Sequence, residues 1–475
     1  MPLRLRKTFF YLCLVAFLAV GGYLVLFTRG LVFDLRHFEL VPTGALYLKF
    51  TPSDATLLVN GKERPAGANI LSPGTFVDNL APGTYTVTVT RPNFSTWTKA
   101  LTVSSTMVTA ASHIRLWPTH APATPVAIDI ANFWLTGEGA VLQDASGTLR
   151  LARRTIRGST VVESDQGSSR LLTEGQGQFY LMDLSAPDTT TNISALFVSL
   201  RSRTISPVGP VATGTLVRSG STTSTNLLQA SSPQAEHVRA VLLHPFSGQK
   251  LIVGTDAGLY ELDTKKVSLE RLASVDRFTA LAKSGGDAFI MNGSSTMTVV
   301  NLILHTSVTY AFPLSSGLRS LIASPNGSYL AAISDTGVLS VLDRTAGTFT
   351  PVAHNVVTAT IAPDNTALIF LSTDGRLNLY YLSDVAGDEL FTAGQLTASA
   401  GPLPVPPAGT LTALPSFSGT VLVQASGTLL AAETDLRGQV NSTALAAHVR
   451  SFAIRDTTLY LLSTDGTLSS MNLAP

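Results

Sequence analysis

The pattern of apolar and polar residues divides the chain into two very different parts. Residues 8–28 form an apolar run of 21 residues without a charge, with Arg4, Arg6 and Lys7 before it and Arg29 after it. At a rise of about 1.5 Å per residue, such a helix matches the roughly 30 Å hydrocarbon core of a bilayer. The run therefore predicts a transmembrane helix. The rest of the chain carries the short alternating patterns of strands and turns.

A cleaved signal peptide is the alternative interpretation of this run, with 19–21 as the small-residue cleavage site. The apolar stretch continues past that site as Tyr-Leu-Val-Leu-Phe at 23–27, which favours a retained signal anchor. Because Lys and Arg are more clustered before the run than after it, the N-terminus is expected inside. The prediction is a single-pass protein of the cytoplasmic membrane, with a tail at 1–7, a linker at 29–43 and an extracytoplasmic body.

The segment 44–117 shows strand periodicity. In 84–90, Tyr85, Val87 and Val89 fall on one face and threonines on the other, which is typical of a strand with one buried side. Residues 45–50, 56–59 and 97–103 are further strand candidates. Asn60-Gly61 is a type I′ turn signal, and 81–83 (Ala-Pro-Gly) is a second turn signal.

With these residues the segment resembles a PEGA domain, a small β-sandwich of prokaryotic envelope and surface proteins. Pro-Ser-Asp-Ala at 52–55 stands where the family has Pro-Glu-Gly-Ala, and the later Leu-x-Pro-Gly-x-Tyr motif is intact at 80–85. The resemblance implies an adhesive or spacer module without catalytic residues. The residues that carry it, in a structural role, are Pro52, Ala55, Asn60, Gly61, Leu80, Pro82, Gly83 and Tyr85.

Downstream of Pro118 the chain repeats a unit of strand, polar tip ending in glycine, and strand. Four of the tip glycines are separated by 38, 52 and 39 residues, and such a period with four-strand units is typical of a β-propeller. The predicted tip residues are Asp144, Gly147, Asp256, Gly258, Asp335, Gly337, Asp374, Gly375, Gly427, Asp465 and Gly466.

A Pro-Asn/Asp-Gly-like turn before several tips makes residues 118–475 resemble propellers of the WD40, TolB and quinoprotein-like classes. The fold class predicted for the whole chain is all-β: one N-terminal helix, a small sandwich and a propeller of seven or eight blades. The eighth blade requires a degenerate hairpin between 179–184 and 196–200. A strand within 113–117 or 126–130 is expected to close the ring, and 204–233 is expected to be an insertion.

Composition excludes some functions. Lys and Arg together number 32 against 31 Asp and Glu, so there is no basic field for nucleic acid. The single cysteine, Cys13, lies in the apolar run, so the body has neither disulfides nor a cysteine metal site. The tip aspartates could line a ligand site, but Asp-Gly is also the commonest tight-turn chemistry, and this structural interpretation is favoured.

No catalytic, cofactor-binding or metal-binding residue is predicted. His244 and His354 are interpreted as surface or turn residues, and no nucleophile elbow or phosphate loop is present. The predicted function is a binding or scaffold protein of a prokaryotic cell envelope, whose propeller docks a protein or polysaccharide. The alternative is a propeller glycosidase or lyase, which requires buried carboxylates gathered within about 5–10 Å of one another.

Overall fold

The structure is a computed structural model. It describes residues 3–28, 31–34, 39–65, 74–119, 123–164, 169–186, 189–204, 236–293, 296–311, 317–344, 347–386, 388–406, 409–413 and 419–473. The predicted insertion at 204–233 lies, apart from its first residue, outside the described residues.

The chain begins with a helix, α1 (Leu3–Thr28), which includes the whole apolar run and starts inside the predicted tail. Its large side chains are exposed, including Phe9, Phe10 and Phe17. In the described part of the chain, however, no helix is long and apolar enough to cross a membrane, so the predicted crossing is not borne out. The segment expected to be a linker contains an antiparallel strand pair, β1 (Leu31–Asp34) and β2 (Glu39–Pro42).

Residues 44–117, called here the N-terminal unit, form two sheets around one core. One sheet has the order β6-β3-β9, with β3 and β9 parallel, and the other has the order β5-β4-β7-β8. Val87 and Val89 are fully buried, as the alternating pattern predicts, and pack with Leu48 of the other sheet. The strands are β3 (Gly44–Thr51), β4 (Thr56–Val59), β5 (Lys62–Arg64), β6 (Thr75–Leu80), β7 (Gly83–Thr90), β8 (Trp97–Val103) and β9 (Val108–Arg115).

The remaining strands form eight four-stranded antiparallel sheets within the described residues, which we call blades 1 to 8. After β10 (Thr124–Ala127), blade 1 contains β11 (Ile130–Thr136), β12 (Gly139–Asp144), β13 (Leu149–Leu151) and β14 (Arg154–Ile156). Blade 2 contains β15 (Thr160–Ser164), β16 (Arg170–Gly175), β17 (Gln178–Asp183) and β18 (Thr190–Asn192), followed by α2 (Ile193–Thr204). Blade 3 contains β19 (Val238–Leu243), β20 (Lys250–Thr255), β21 (Gly258–Asp263) and β22 (Ser268–Ser274). Blade 4 contains β23 (Phe278–Ser284), β24 (Asp287–Asn292), β25 (Thr296–Asn301) and β26 (Thr306–Ala311).

The second half of the propeller continues in the same way. Blade 5 contains β27 (Leu318–Ala323), β28 (Leu330–Ser334), β29 (Leu339–Asp343) and β30 (Thr348–Ala353). Blade 6 contains β31 (Val356–Ile361), β32 (Ala367–Ser372), β33 (Leu377–Tyr381) and β36 (Leu396–Ala398), with the short hairpin β34 (Val385–Ala386) and β35 (Leu390–Phe391) inserted before β36. Blade 7 contains β37 (Thr410–Ala413), β38 (Thr420–Ala425), β39 (Thr428–Glu433) and β40 (Ser442–Ala446). Blade 8 contains β41 (Val449–Arg455), β42 (Thr458–Ser463) and β43 (Leu468–Asn472).

Blade 8 is completed by a strand from the other end of the propeller. β10 pairs with β43, with Thr124 opposite Ser470, so the sheet order is β10-β43-β42-β41. The first strand of blade 1 contacts the first strands of both blade 2 and blade 8, as in a closed ring. The prediction of a closing strand is confirmed for the region that overlaps 126–130. It is wrong for 113–117, because that segment mostly belongs to β9 and pairs with β3.

The strand predicted at 196–200 is a helix instead. Ile193, Phe197 and Leu200 are spaced as on one helical face and are buried against blade 3. The amide of Ala195 donates to the Asn192 side chain at 2.9 Å, which caps the first turn of α2. The fourth strand of blade 2 is therefore the short β18, which precedes the helix.

Candidate functional site

A cleft of about 960 Å³ lies where the N-terminal unit meets blades 6 and 7. The N-terminal unit contributes Trp97 and His113, blade 6 contributes Tyr381 and the inserted hairpin β34–β35, and blade 7 contributes the segment after β39. Its size is within the usual range for ligand sites, about 300–1,000 Å³. Because its walls come from segments roughly 250 to 340 residues apart in sequence, no local motif marks it.

The blade 6 wall is apolar and aromatic. The rings of Tyr381 and Phe391 stack with centroids 4.2 Å apart and planes at 8°. Burial raises the pKa of Tyr381 to about 12, so its hydroxyl stays protonated and uncharged at neutral pH. Ile369 and Leu379 extend this surface. Beside the stack, the hairpin exposes Leu390, whose accessibility is 81%. This wall can therefore contact apolar side chains of a ligand.

The N-terminal unit is fastened to blade 7 by a buried lysine. Lys99 is 1% exposed, and its Nζ lies 2.7 Å from Glu433 Oε1 and 3.3 Å from Asp435 Oδ2. It also donates to the backbone oxygen of Asp435 at 2.7 Å. Glu433 accepts three further hydrogen bonds, from Trp97 Nε1 and from the amide and side chain of Asn441. Each buried charge at this boundary thus has partners, as burial of charge requires.

Arg437 holds the second carboxylate of this network. Its Nε and Nη2 donate to the two oxygens of Asp435 at 2.9 and 2.7 Å. Desolvation alone would raise the pKa of Asp435, but the hydrogen bonds from Arg437 and the charge of Lys99 outweigh it and lower that pKa. The charge of Asp435 likewise raises the pKa of Arg437 despite burial. Both groups are therefore ionised at neutral pH.

A second polar contact joins the N-terminal unit to the inserted hairpin. The amide of Ser112 donates to Asp388 Oδ2 at 2.7 Å, and the Ser112 hydroxyl donates to Asp388 Oδ1. The lining of the cleft carries the carboxylates Asp364, Asp388, Glu389, Glu433 and Asp435 against one guanidinium, that of Arg437. Even with Lys99 counted, negative charge exceeds positive charge. The cleft is therefore apolar on one side and anionic at its rim.

The predicted tip residues lie in hairpins between the second and third strands of their own blades. Asp144, Asp374 and Asp465 accept hydrogen bonds from serine hydroxyls and backbone amides of those turns, and the serine bonds chiefly lower their pKa values. Among the described residues, no ion pair or hydrogen bond joins one tip to another. Positive φ angles occur at Gly147, Gly337, Gly375, Gly427 and Gly466 but not at Gly258, which begins β21.

The tips contact the next blade through their backbone. The carbonyls of Gly337, Gly427 and Gly466 accept hydrogen bonds from the amides of Val356, Val449 and Ile130, respectively, at 2.7 to 2.9 Å. These amides begin the first strands of blades 6, 8 and 1. Two other tip aspartates behave differently: Asp256 pairs with Arg239 at 2.6 Å, and the amide of Asp335 donates to Gly317. The structural role that the sequence predicts for the tip residues stays a prediction.

The residues of the PEGA-like motif lie in the N-terminal unit, in turns and core positions. Asn60 and Gly61 both have positive φ, 49° and 75°, between β4 and β5. The Asn60 side chain accepts from the amide of Thr86, and the Tyr85 hydroxyl donates to Ala81 O at 2.8 Å. Ala55 and Leu80 are buried in the core, Pro52 follows β3, and Pro82 and Gly83 lead into β7. None of these residues lines the cleft.

Two histidines interpreted as surface or turn residues differ in burial. His354 is exposed, but His244, which directly follows β19 and lies beside Glu261, is only 5% exposed. Among the described residues, Glu261, Glu270 and His305 form one group whose ligand atoms lie within 4.8 Å of one another. The sequence gives no signal for this group, since its members come from two blades.

The sequence matches no protein-family model. No curated protein matches it either. The chain is similar to several solved structures. Hsv2 of Kluyveromyces lactis aligns with a TM-score of 0.41 and 8% identity, over 67% of this chain and 98% of that one. BamB of Moraxella catarrhalis aligns with a TM-score of 0.41 and 15% identity, over 74% of this chain and 100% of that one. A chain of a mitotic checkpoint complex aligns with a TM-score of 0.40 and 12% identity, over 76% of this chain and 93% of that one. At these TM-scores the similarities carry no argument about function.

Proposed function

We propose that this chain is a binding protein that docks a segment of a protein partner in the cleft between the N-terminal unit and blades 6 and 7. The cleft is the observation that carries the proposal: an aromatic and aliphatic wall faces a rim with an excess of carboxylates. Such a surface suits a segment with apolar side chains flanked by Lys or Arg. An acidic polysaccharide would be repelled by the same rim.

The body is proposed to be held at the cytoplasmic membrane of a prokaryotic envelope by α1, with the N-terminal unit as a PEGA-like spacer. The uncharged run at 8–28, the exposed side chains of α1 and the basic residues before it support this arrangement. External protease should then degrade the body in intact cells and leave a short membrane-bound stub. Release of a body that begins at Gly22 would overturn the anchor.

The docking proposal is tested with a displayed library of random peptides, selected on the full chain. Enriched peptides should combine basic and apolar residues, and their binding should weaken as salt is raised. Charge reversal at the rim, Asp364→Lys or Glu389→Lys, should abolish the enrichment. Both side chains are partly or largely exposed, so these variants are expected to fold.

The matched control is Glu63→Lys, the same charge reversal at an exposed position on β5 away from the cleft. It should leave peptide binding unchanged. Selection of peptides without basic residues, or equal binding by the rim variants and wild type, would refute the proposal.

A glycosidase or lyase is the second candidate, favoured by one observation. Glu433 and Asp435 share the ammonium of Lys99, so their carboxylate oxygens lie within about 6 Å of each other, near the separation of carboxylates in retaining glycosidases. However, the lowered pKa of Asp435 does not suit a general acid, which needs a raised pKa. Cleavage of a glycan that is lost in Glu433→Gln but kept in Glu63→Gln would favour this enzyme.

A further inference from the structure

A group of titratable side chains outside the cleft lies at the boundary of blades 3 and 4. Glu261 is on β21 and Glu270 is directly opposite it on β22, so both side chains are on one face of blade 3. His305 reaches them from the turn between β25 and β26 of blade 4. Its Nδ1 lies 2.8 Å from Glu270 Oε1, and its Nε2 lies 3.6 Å from Glu261 Oε2.

Glu261 is the buried member of the group. It is 5% exposed, and Lys250 Nζ contacts its Oε1 at 2.6 Å. Its Oε2 is buried and accepts no hydrogen bond from any residue that the structure describes. A buried carboxylate oxygen that accepts no hydrogen bond is costly, since it has lost its hydration. This oxygen faces His305, so a cation placed between them would supply the missing interaction.

His244 supports Glu261 from the other side. It is 5% exposed, and its Nε2 lies 3.3 Å from the same Oε2 without a hydrogen bond. Because its Nδ1 accepts the amide of Phe246 at 3.3 Å, the proton of the neutral ring is assigned to Nε2, which lies near the carboxylate but out of line for a hydrogen bond. With Nδ1 used by Phe246 and Nε2 protonated, His244 offers no free lone pair to a metal ion and is not counted among the ligands.

The turn that carries His305 is fixed by hydrogen bonds. The side-chain oxygen of Asn301 accepts from the amides of Ile303 and Leu304 at 3.1 and 2.8 Å. The Asn301 amide group donates to Asp287 Oδ1 at 3.0 Å, which ties the turn to β24. These hydrogen bonds fix the backbone that carries His305. Its imidazole can therefore reach blade 3 without a change in the conformation of the turn.

We propose that Glu261, Glu270 and His305 bind a divalent transition-metal ion such as Zn²⁺ across the boundary of blades 3 and 4. One imidazole nitrogen and two carboxylate oxygens are a donor set that Zn²⁺ accepts, with arms of about 2.0–2.2 Å. Tetrahedral arms of that length place neighbouring ligand atoms roughly 3.3–3.5 Å apart. The 3.6 Å between His305 Nε2 and Glu261 Oε2 is close to this separation, so Nε2 is the ring nitrogen assigned to the ion. Glu270 Oε1 contacts the other ring nitrogen, Nδ1, at 2.8 Å, and its 59% exposed side chain turns toward Nε2 to complete the site.

The metal ion would also cross-link blades 3 and 4. Blade 3 supplies both carboxylates and blade 4 supplies the imidazole, so an ion bound by all three joins the two blades. Binding to the folded chain alone must raise its stability. The site therefore has a readout that needs no knowledge of the partner docked in the cleft.

The test uses the full chain without an affinity tag, stripped of metal by chelation and titrated with Zn²⁺ in a calorimeter. One equivalent should bind and raise the melting temperature, and Co²⁺ should give visible ligand-field absorption. Glu270→Gln and His305→Gln should each weaken Zn²⁺ binding by more than about tenfold. Glu270 and His305 are 59% and 30% exposed, so neither substitution should prevent folding.

The matched controls are Glu63→Gln and His354→Gln, the same substitutions at exposed positions outside the group. Both should bind Zn²⁺ as wild type does. Failure of the wild-type chain to bind one equivalent, or an unchanged affinity in either Glu270→Gln or His305→Gln, would overturn the site.

Discussion

Replacing Lys99 by Met should destabilise the boundary between the N-terminal unit and blade 7. The substitution keeps the length of the apolar stem and removes the ammonium, whose side chain is 1% exposed and which contacts Glu433 at 2.7 Å and Asp435 at 3.3 Å. The loss of one partner of a buried ion pair costs about 3–5 kcal/mol, because a buried charge is left without compensation.

The structure places the expected cost at the lower end of this range. Glu433 would keep the hydrogen bonds from Trp97 Nε1 and from Asn441, and Asp435 would keep both bonds to Arg437. We therefore expect a loss of about 3 kcal/mol in the free energy of unfolding. Glu433→Gln in the Lys99→Met background should recover at least half of it, since no orphaned charge remains.

Urea unfolding followed by tryptophan fluorescence measures this loss, because Trp97 and Trp117 are buried at the boundary, 2% and 4% exposed. A Trp134→Phe background limits the signal to these two residues. Lys62→Met on the exposed strand β5 is the control and should change the free energy by less than about 0.5 kcal/mol. If Lys99→Met is as stable as this control, or if the second substitution adds a further loss, the ion-pair argument is refuted.

Three further predictions follow from the same structure. A chain that starts at residue 118 should unfold cooperatively. A chain that starts at residue 128 lacks β10 and should be less stable, because β43 becomes an unpaired edge strand. Equal urea midpoints of the two chains would refute closure by β10. The difference in unfolding free energy between wild type and Asp435→Asn should be constant above the ordinary carboxyl pKa of 3.8. It should shrink as the pH falls through the lowered pKa of Asp435. A difference that persists at lower pH would contradict the assigned ion pairs. Below about pH 11, Tyr381→Phe and wild type should show the same tyrosinate absorbance, because burial raises the pKa of Tyr381 to about 12. A lower absorbance of the variant near pH 10 would show that the ring is solvated.

Much of the strand pattern was predictable because each strand encodes its buried face locally. The alternation around Val87 and Val89 and the turn at Asn60-Gly61 depend on neighbours within a few residues, and the structure has both. The strand predicted at 196–200 is wrong because five residues fit both the two-residue period of a strand and the 3.6-residue period of a helix. Only the wider spacing of Ile193, Phe197 and Leu200 distinguishes the helix, and Ile193 lies outside the predicted strand.

The candidate sites could not be predicted in this way, since their members are brought together only by closure of the fold. Lys99 and Glu433 are 334 positions apart, and each would be read alone as a solvated charge on a strand. His244 shows the same limit. The sequence predicts a surface or turn residue, but His244 is buried beside Glu261, which lies two strands later. Sequence periodicity reports which face of an element is buried and not which partner covers it.

The cleft and the proposed metal site share one physical feature: each lies at a boundary between units that pack through a buried ion pair or carboxylate. At the cleft, Lys99 and Ser112 hold the N-terminal unit against blades 6 and 7, so the aromatic wall faces a second surface rather than bulk solvent. If Lys99→Met loosens that boundary, it should weaken peptide docking without touching the peptide. The same substitution should leave Zn²⁺ binding unchanged, because Glu261, Glu270 and His305 belong to blades 3 and 4, which share no described cleft residue. Loss of both activities in Lys99→Met would instead mean that the ring itself depends on the N-terminal unit.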